Sequence, residues 1–205
     1  DHSQGASVLL ERFPNARFIA TPDVASRQRA RIPGGDAWAR QLLGPQAAVP
    51  SVPAEDYAEA TIEVDGEVIE IWTGYVGDPG TNPPDEPHTV LYIPSQHTLI
   101  PSDIVYNNGH VSIGGSTPES RAQWVAQLET WIEQDFDMVV PGHQPPGSVL
   151  TPIGALTHTR DYVLAYGEEV ERAASREALI DAMIERFPAI GHQVALRFSA
   201  RIDFP

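Results

Sequence analysis

Between Thr61 and Val140 the chain repeats one pattern: short runs of β-branched and aromatic residues, each closed by Pro, Gly, Ser or Asp, then one amphipathic helix and a last apolar run. A stretch like that folds only by stacking helices on a sheet, because each run is too short to bury itself. Ile62 and Val64, the Asp65-Gly66 pair, and Val68 alternating up to Ile71 predict a β-hairpin over Thr61–Trp72. Thr89–Ile93, Thr98–Ile100 and Ile104–Tyr106 read as further strands. Thr117-Pro118 supplies an N-cap and a first helical residue, after which Trp124, Val125, Leu128, Trp131 and Ile132 form one apolar face. Met138-Val139-Val140 is a buried strand that Pro141-Gly142 ends, so His143 is expected just past its C-terminal edge, where layered α/β folds bind ligands.

The flanks are less regular. Ala6, Leu9, Leu10 and Phe13 make the stripe of a helix over residues 3–13, followed by a short strand at Arg17–Ala20. Residues 33–54 carry so many Pro and Gly that they read mostly as connection around a short helix at Asp36–Leu43. Gly74–Pro87 reads as a long irregular loop, the kind that is usually functional or mobile inside a compact domain. Near the end, Tyr162, Val163, Tyr166 and Val170 mark one helix, and Ser175 caps another bearing Leu179, Met183 and Phe187. The opening Asp1-His2-Ser3-Gln4-Gly5 runs straight into a helix and reads as a start in mid-fold.

Charge narrows the partners. Of 205 residues, 28 are acidic and 13 are basic, for a net charge of −15, and every basic residue is Arg. Without Lys there is no Schiff-base amine and no Walker-type phosphate loop, and scattered Arg in so acidic a chain argues against nucleic acid or a membrane surface as partner. No apolar run approaches the roughly 20 residues of a membrane span. Cys is absent, so disulfides, thiolate metal sites and Cys nucleophiles are excluded together. No Gly-x-Ser-x-Gly elbow occurs, which disfavours a serine acyl-enzyme.

What remains is imidazole and carboxylate chemistry. Asp1-His2, Asp103 after Pro101-Ser102, His110 after Asn108-Gly109, and His143 after Pro141-Gly142 all lie beside breakers or strand ends. Such groups are good N and O donors for zinc and similar ions. Taken singly, a lone His or a loop Asp is more often a capping or solvated residue than a ligand.

In order, these motifs resemble the metallo-β-lactamase-fold metallohydrolases. Asp1-His2 looks like the end of that family's His-x-His-x-Asp-His signature, Phe13 to Thr21 is similar to the stretch that follows it, Tyr92 to Tyr106 resembles the segment with the metal-bridging Asp, and Val140-Pro141-Gly142-His143 resembles the segment of the last metal His. The likeness extends to about Gly147. It implies an αββα sandwich of which residues 1–205 are the C-terminal two-thirds, read as a single domain with C-terminal helices at about 153–187. It also implies zinc or another divalent ion, one or two in number, held by Asp1, His2, Asp103 and His143, with Asp1 and Asp103 as catalytic carboxylates. The family's third His should fall in the Gly74–Pro87 loop, which has none; Tyr75 or Pro84 takes its place, and His88 lies four residues beyond Pro84. Tyr75, His88 and His110 are kept as substrate or supporting contacts, whereas His97, His158 and His192 are read as structural or solvated. Ser102 stands where the family has Gly, which strains the turn if the backbone there is left-handed and is harmless otherwise.

The resemblance implies metal-assisted hydrolysis of a small molecule, a carboxylic ester or lactone being favoured because the charge of −15 repels polyanions. It also implies that an N-terminal half or another chain completes the fold. The competing readings are a degenerate member that has lost one metal site and serves as a binding or scaffold module, and an acidic α/β domain with unrelated surface His.

Overall fold

The structure, a computed structural model, describes residues 3–79 and 86–205. Asp1, His2 and Pro84 lie outside the described residues. Contacts divide the chain into two compact units, Asp1–Glu59 and Ala60–Pro205. Among the described residues no helix is long and apolar enough to cross a membrane.

The first unit holds helix α1 (Ala6–Arg12), strand β1 (Ile19–Ala20), helix α2 (Pro22–Leu43) and strand β2 (Glu55–Asp56), which pairs in parallel with β1. Here the expectation of a mostly irregular 33–54 segment is corrected: a 22-residue helix runs through Pro33, Gly34 and Gly35. Pro22 at the first helical position starts it. Side chains tie it to neighbouring segments: Gln28 exchanges two hydrogen bonds with Val52 and Ala54, Asp36 accepts from the Ser51 hydroxyl at 2.6 Å, and the Gly35 carbonyl accepts from Gln4 at 3.0 Å. Such tertiary bonds outweigh weak local propensity and are invisible in a count of breakers.

The second unit is a five-stranded sheet in the order β3 (Thr61–Val64), β4 (Glu67–Tyr75), β5 (His88–Ile93), β6 (Thr98–Tyr106), β7 (Met138–His143). The predicted hairpin turns at Asp65-Gly66, both with positive φ, as a tight two-residue loop demands. All neighbours are antiparallel except β6 and β7, which are parallel and joined through helix α3 (Pro118–Glu133). The two runs expected at Thr98–Ile100 and Ile104–Tyr106 are one strand, and Pro101 is tolerated because the register with β7 shifts between Leu99 and Ser102. Strand β7 also continues past Pro141-Gly142 through His143, so His143 is its last residue.

Helix α3 begins with a capping box between Thr117 and Ser120. It packs with helix α4 (Pro152–Arg172), and α4 in turn reaches β6 and β7. Trp124, Leu128, Trp131, Val139, Leu156, Tyr162 and Tyr166 are buried together in this layer, with Trp124 Nε1 donating to the Ile104 carbonyl at 2.9 Å. Met138 and Val140, flanking Val139, point to the opposite side of the strand and are about two-fifths exposed. Ser175 caps helix α5 (Arg176–Arg186) as expected. Helix α6 (Gln193–Asp203) has no counterpart in the sequence expectations.

Candidate metal centre

The site grows from a bend in β6. Ser102 has φ +50°, in the left-handed region, so the first of the two readings of this position holds: a Gly would adopt this backbone freely and Ser does so under strain. The register with β7 shifts on both sides of Ser102, the local disruption that re-aims a side chain. The next residue, Asp103, lies beside Gly142, where an added Cβ would sit 2.1 Å from Asp103 Oδ1 and 2.6 Å from the Ser102 carbonyl carbon. The missing Cβ of Gly142 is therefore what leaves space for the carboxylate.

Asp103 Oδ1 lies 3.3 Å from His143 Nε2, and both side chains keep about a quarter or less of their surface exposed. Parallel pairing aligns Tyr106 with His143, and the His143 carbonyl accepts from the Asn107 amide at 2.9 Å, so the end of β7 is pinned to the end of β6. The His143 ring stacks on Tyr106 at 5.1 Å and on His192 at 4.8 Å. Below them the Tyr106 hydroxyl donates to Asp78 Oδ2 at 2.9 Å, and the Asp78 amide donates to the Asp103 carbonyl. Burial, with Asp78 and Asp103 adding to it, pushes the Tyr106 phenol well above its ordinary pKa, so it stays a donor.

The donor set suits a divalent ion. A separation of 3.3 Å is the edge expected for two ligands on a tetrahedral zinc with bonds of about 2.0–2.1 Å. The two groups are one hard oxygen and one imidazole nitrogen, the chemistry such an ion takes without Cys. Among the described residues no group of three His, Asp or Glu is arranged to hold a metal. Asp1 and His2, the other expected ligands, are outside the described residues.

The supporting residues divide. Tyr75 packs against Trp131 at 5.1 Å and Trp72 at 6.4 Å, which places its ring in the aromatic layer. His88 is paired with Tyr75 across β4 and β5, three residues before the Leu91–Ile93 segment that pairs with β6. His110 is 1% exposed, its Nδ1 is 3.1 Å from the Tyr162 hydroxyl, and burial, followed by His158 and His192, pulls its pKa down to about 4. It is its carbonyl that reaches the site, accepting from His192 Nδ1 at 3.1 Å. His97 packs on Phe136. His158 Nε2 donates to the Gly109 carbonyl at 2.8 Å, and burial lowers its pKa. Sequence reasoning gives no site role to Asp78, Tyr106 or Gly142 and reads His192 as structural or solvated; only the Gly-His pair at 191–192, directly before an amphipathic run, carries a local signal for any of them.

No protein-family model matches the sequence, and no curated protein does. Solved structures do match. A beta-lactamase domain protein from Burkholderia ambifaria superposes with a TM-score of 0.58 at 20% identity, covering 99% of this chain and 63% of that one. A metallo-beta-lactamase family protein from Thermus thermophilus gives 0.52 at 13% identity, covering 92% and 65%. The chain thus spans just under two thirds of the length of both. With its mixed sheet and its helical layer, the chain carries part of the metallo-β-lactamase fold.

Proposed function

We propose that this chain belongs to a divalent-metal-dependent hydrolase acting on an uncharged acyl substrate, a carboxylic ester or lactone, with Asp103 and His143 among the ligands and Asp1 and His2 completing the set. The single observation that supports this most is the Asp103–His143 pair at 3.3 Å, formed where β6 bends at a strained Ser102 beside a Cβ-free Gly142 near the end of β7. Strain kept at one point of a sheet is a common mark of a functional position. A bound divalent cation would supply Lewis acidity to water and to the scissile carbonyl. The protein's own part is to fix the Asp103 backbone through the Asp78 amide, to leave its carboxylate room beside Gly142, and to pack the His143 ring against Tyr106 and His192. The charge of −15 works against phosphorylated or polyanionic substrates.

A second reading, a degenerate member that binds without turning over, is favoured by Tyr75, one of the two positions where the resemblance would place a third His, packing into the aromatic layer. Hydrolysis of a panel of aryl esters and lactones by the full-length protein, with zinc, manganese or cobalt added back after chelation, separates the two. The hydrolase reading expects metal-restored turnover that falls at least about 100-fold in Asp103→Asn and His143→Ala. Metal binding without turnover on any substrate supports the degenerate reading.

A further inference from the structure

We propose that His192 is a positioning residue for His143, so that the C-terminal helix α6, beyond the reach of the sequence resemblance, forms part of the site. This rests on the reading of Asp103 and His143 as ligands. Three nearly parallel rings carry it: His192 lies 4.8 Å from His143 with planes 23° apart, and Tyr106 lies 5.1 Å from His143 and 6.0 Å from His192. His143 therefore packs against both of the other rings while its Nε2 edge meets Asp103.

The arrangement is built into the fold. His192 has φ +59° at the N-cap of α6, a strained backbone for a non-Gly residue. The turn before it is stitched to the loop after β6 by three hydrogen bonds: Gly191 amide to Asn108 carbonyl, His110 amide to Gly191 carbonyl, and His192 Nδ1 to His110 carbonyl, all between 3.0 and 3.1 Å. A carbonyl can only accept, so Nδ1 carries the proton and the tautomer of His192 is set. Gly191 is required because a Cβ there would lie 2.6 Å from Pro145 Cγ. Helix α6 is itself anchored: Ser199 Oγ accepts from the Ile113 amide, Asp203 accepts from the Gly115 amide and the Tyr166 hydroxyl, and Leu196 and Ala200 are fully buried. A Cβ on Gly114 would come within 2.5 Å of Ser199 Cα, so helix and loop are in backbone contact. Groups that orient a metal-ligating His without touching the ion typically change affinity by about 10–100-fold when removed.

The test uses the full-length protein with His192→Ala and His192→Phe. Zinc affinity, measured by competition with a chromophoric chelator, should fall about 10–100-fold in His192→Ala and be largely recovered in His192→Phe, which keeps a ring for His143 to pack on. In parallel, side-chain NMR of the metal-free protein should show one ordered His143 ring in the wild type and in His192→Phe, and an averaged one in His192→Ala. Thermal unfolding confirms that each variant is folded. A folded His192→Ala with wild-type affinity and an ordered His143 ring overturns the proposal, and so does a Phe variant as weak as the Ala one. If the wild type takes up no divalent ion, the hydrolase reading fails, and the NMR comparison alone decides whether His192 orders His143.

Discussion

The two units of the chain hold themselves together in different ways. In Ala60–Pro205, large side chains meet one another: Trp124, Trp131, Tyr106, Tyr162 and Tyr166 are each at most 2% exposed. In Asp1–Glu59 the buried hydrophobic residues are all alanines, Ala6, Ala25, Ala39 and Ala54 among the described residues. Trp38, Leu9, Phe13 and Leu42 are all more than half exposed there. What holds that unit is polar: the Arg17–Glu55 and Arg29–Asp56 pairs, the Gln28 bonds, and Asp36 on Ser51. Exposed ion pairs contribute little, about 0–1 kcal/mol each, whereas a buried aromatic contributes several. The difference teaches that Asp103 and His143 lie in the unit that is held by packed large side chains.

The largest effect expected from that contrast is on a pair of tryptophans. Trp124→Ala should cost about 3–5 kcal/mol in chemical denaturation, more if the Ile104 carbonyl is left without its partner, while Trp38→Ala should cost under about 0.5 kcal/mol. Equal costs would erase the distinction between the units.

Acid should then act mainly on the second unit. His110 is held neutral in the folded state, with its pKa near 4, whereas in the unfolded chain it returns to about 6.5. Its contribution is therefore complete above about pH 6.5 and is lost as pH falls toward 4, by about 3 kcal/mol in all, because the unfolded state takes up the proton first. His158, also lowered by burial, acts in the same direction. The stability gap between wild type and His110→Gln, followed by urea titration, should shrink from pH 7 to pH 4; a constant gap would show that His110 is not buried as a neutral ring.

Two smaller changes probe the bend. Gly142→Ala drives a Cβ into Asp103 and the Ser102 backbone and should cost about 1–3 kcal/mol while moving the carboxylate. Ser102→Gly relieves a left-handed backbone and should raise stability by about 0.5–1 kcal/mol. A loss of stability in Ser102→Gly would mean that the serine side chain contributes something the bend geometry does not reveal.

Much of the second unit can be read from residue order. The Asp65-Gly66 hairpin, the Thr117-Pro118 helix start, the Ser175 cap and the run at Met138–Val140 are local signals, and each lies where its pattern puts it. Helix α2 is obscured because it is held by side chains of Gln4, Gln28 and Asp36 that bond to segments distant in sequence. Asp103 and His143 are legible as types beside breakers, but their 3.3 Å approach depends on Gly142 and on the left-handed Ser102. His192 escapes a sequence reading because it is 49 positions from His143, and nothing local says that α6 returns to the end of β7.

The central claim, that Asp103 and His143 belong to a divalent-metal centre, is tested most directly by elemental analysis of the dialysed full-length protein beside His143→Ala. The account predicts about one tightly held divalent equivalent in the wild type, a second held weakly or not at all, and loss of the tight one in His143→Ala. A wild type that retains no metal, or a His143→Ala variant that retains as much as the wild type, would contradict it.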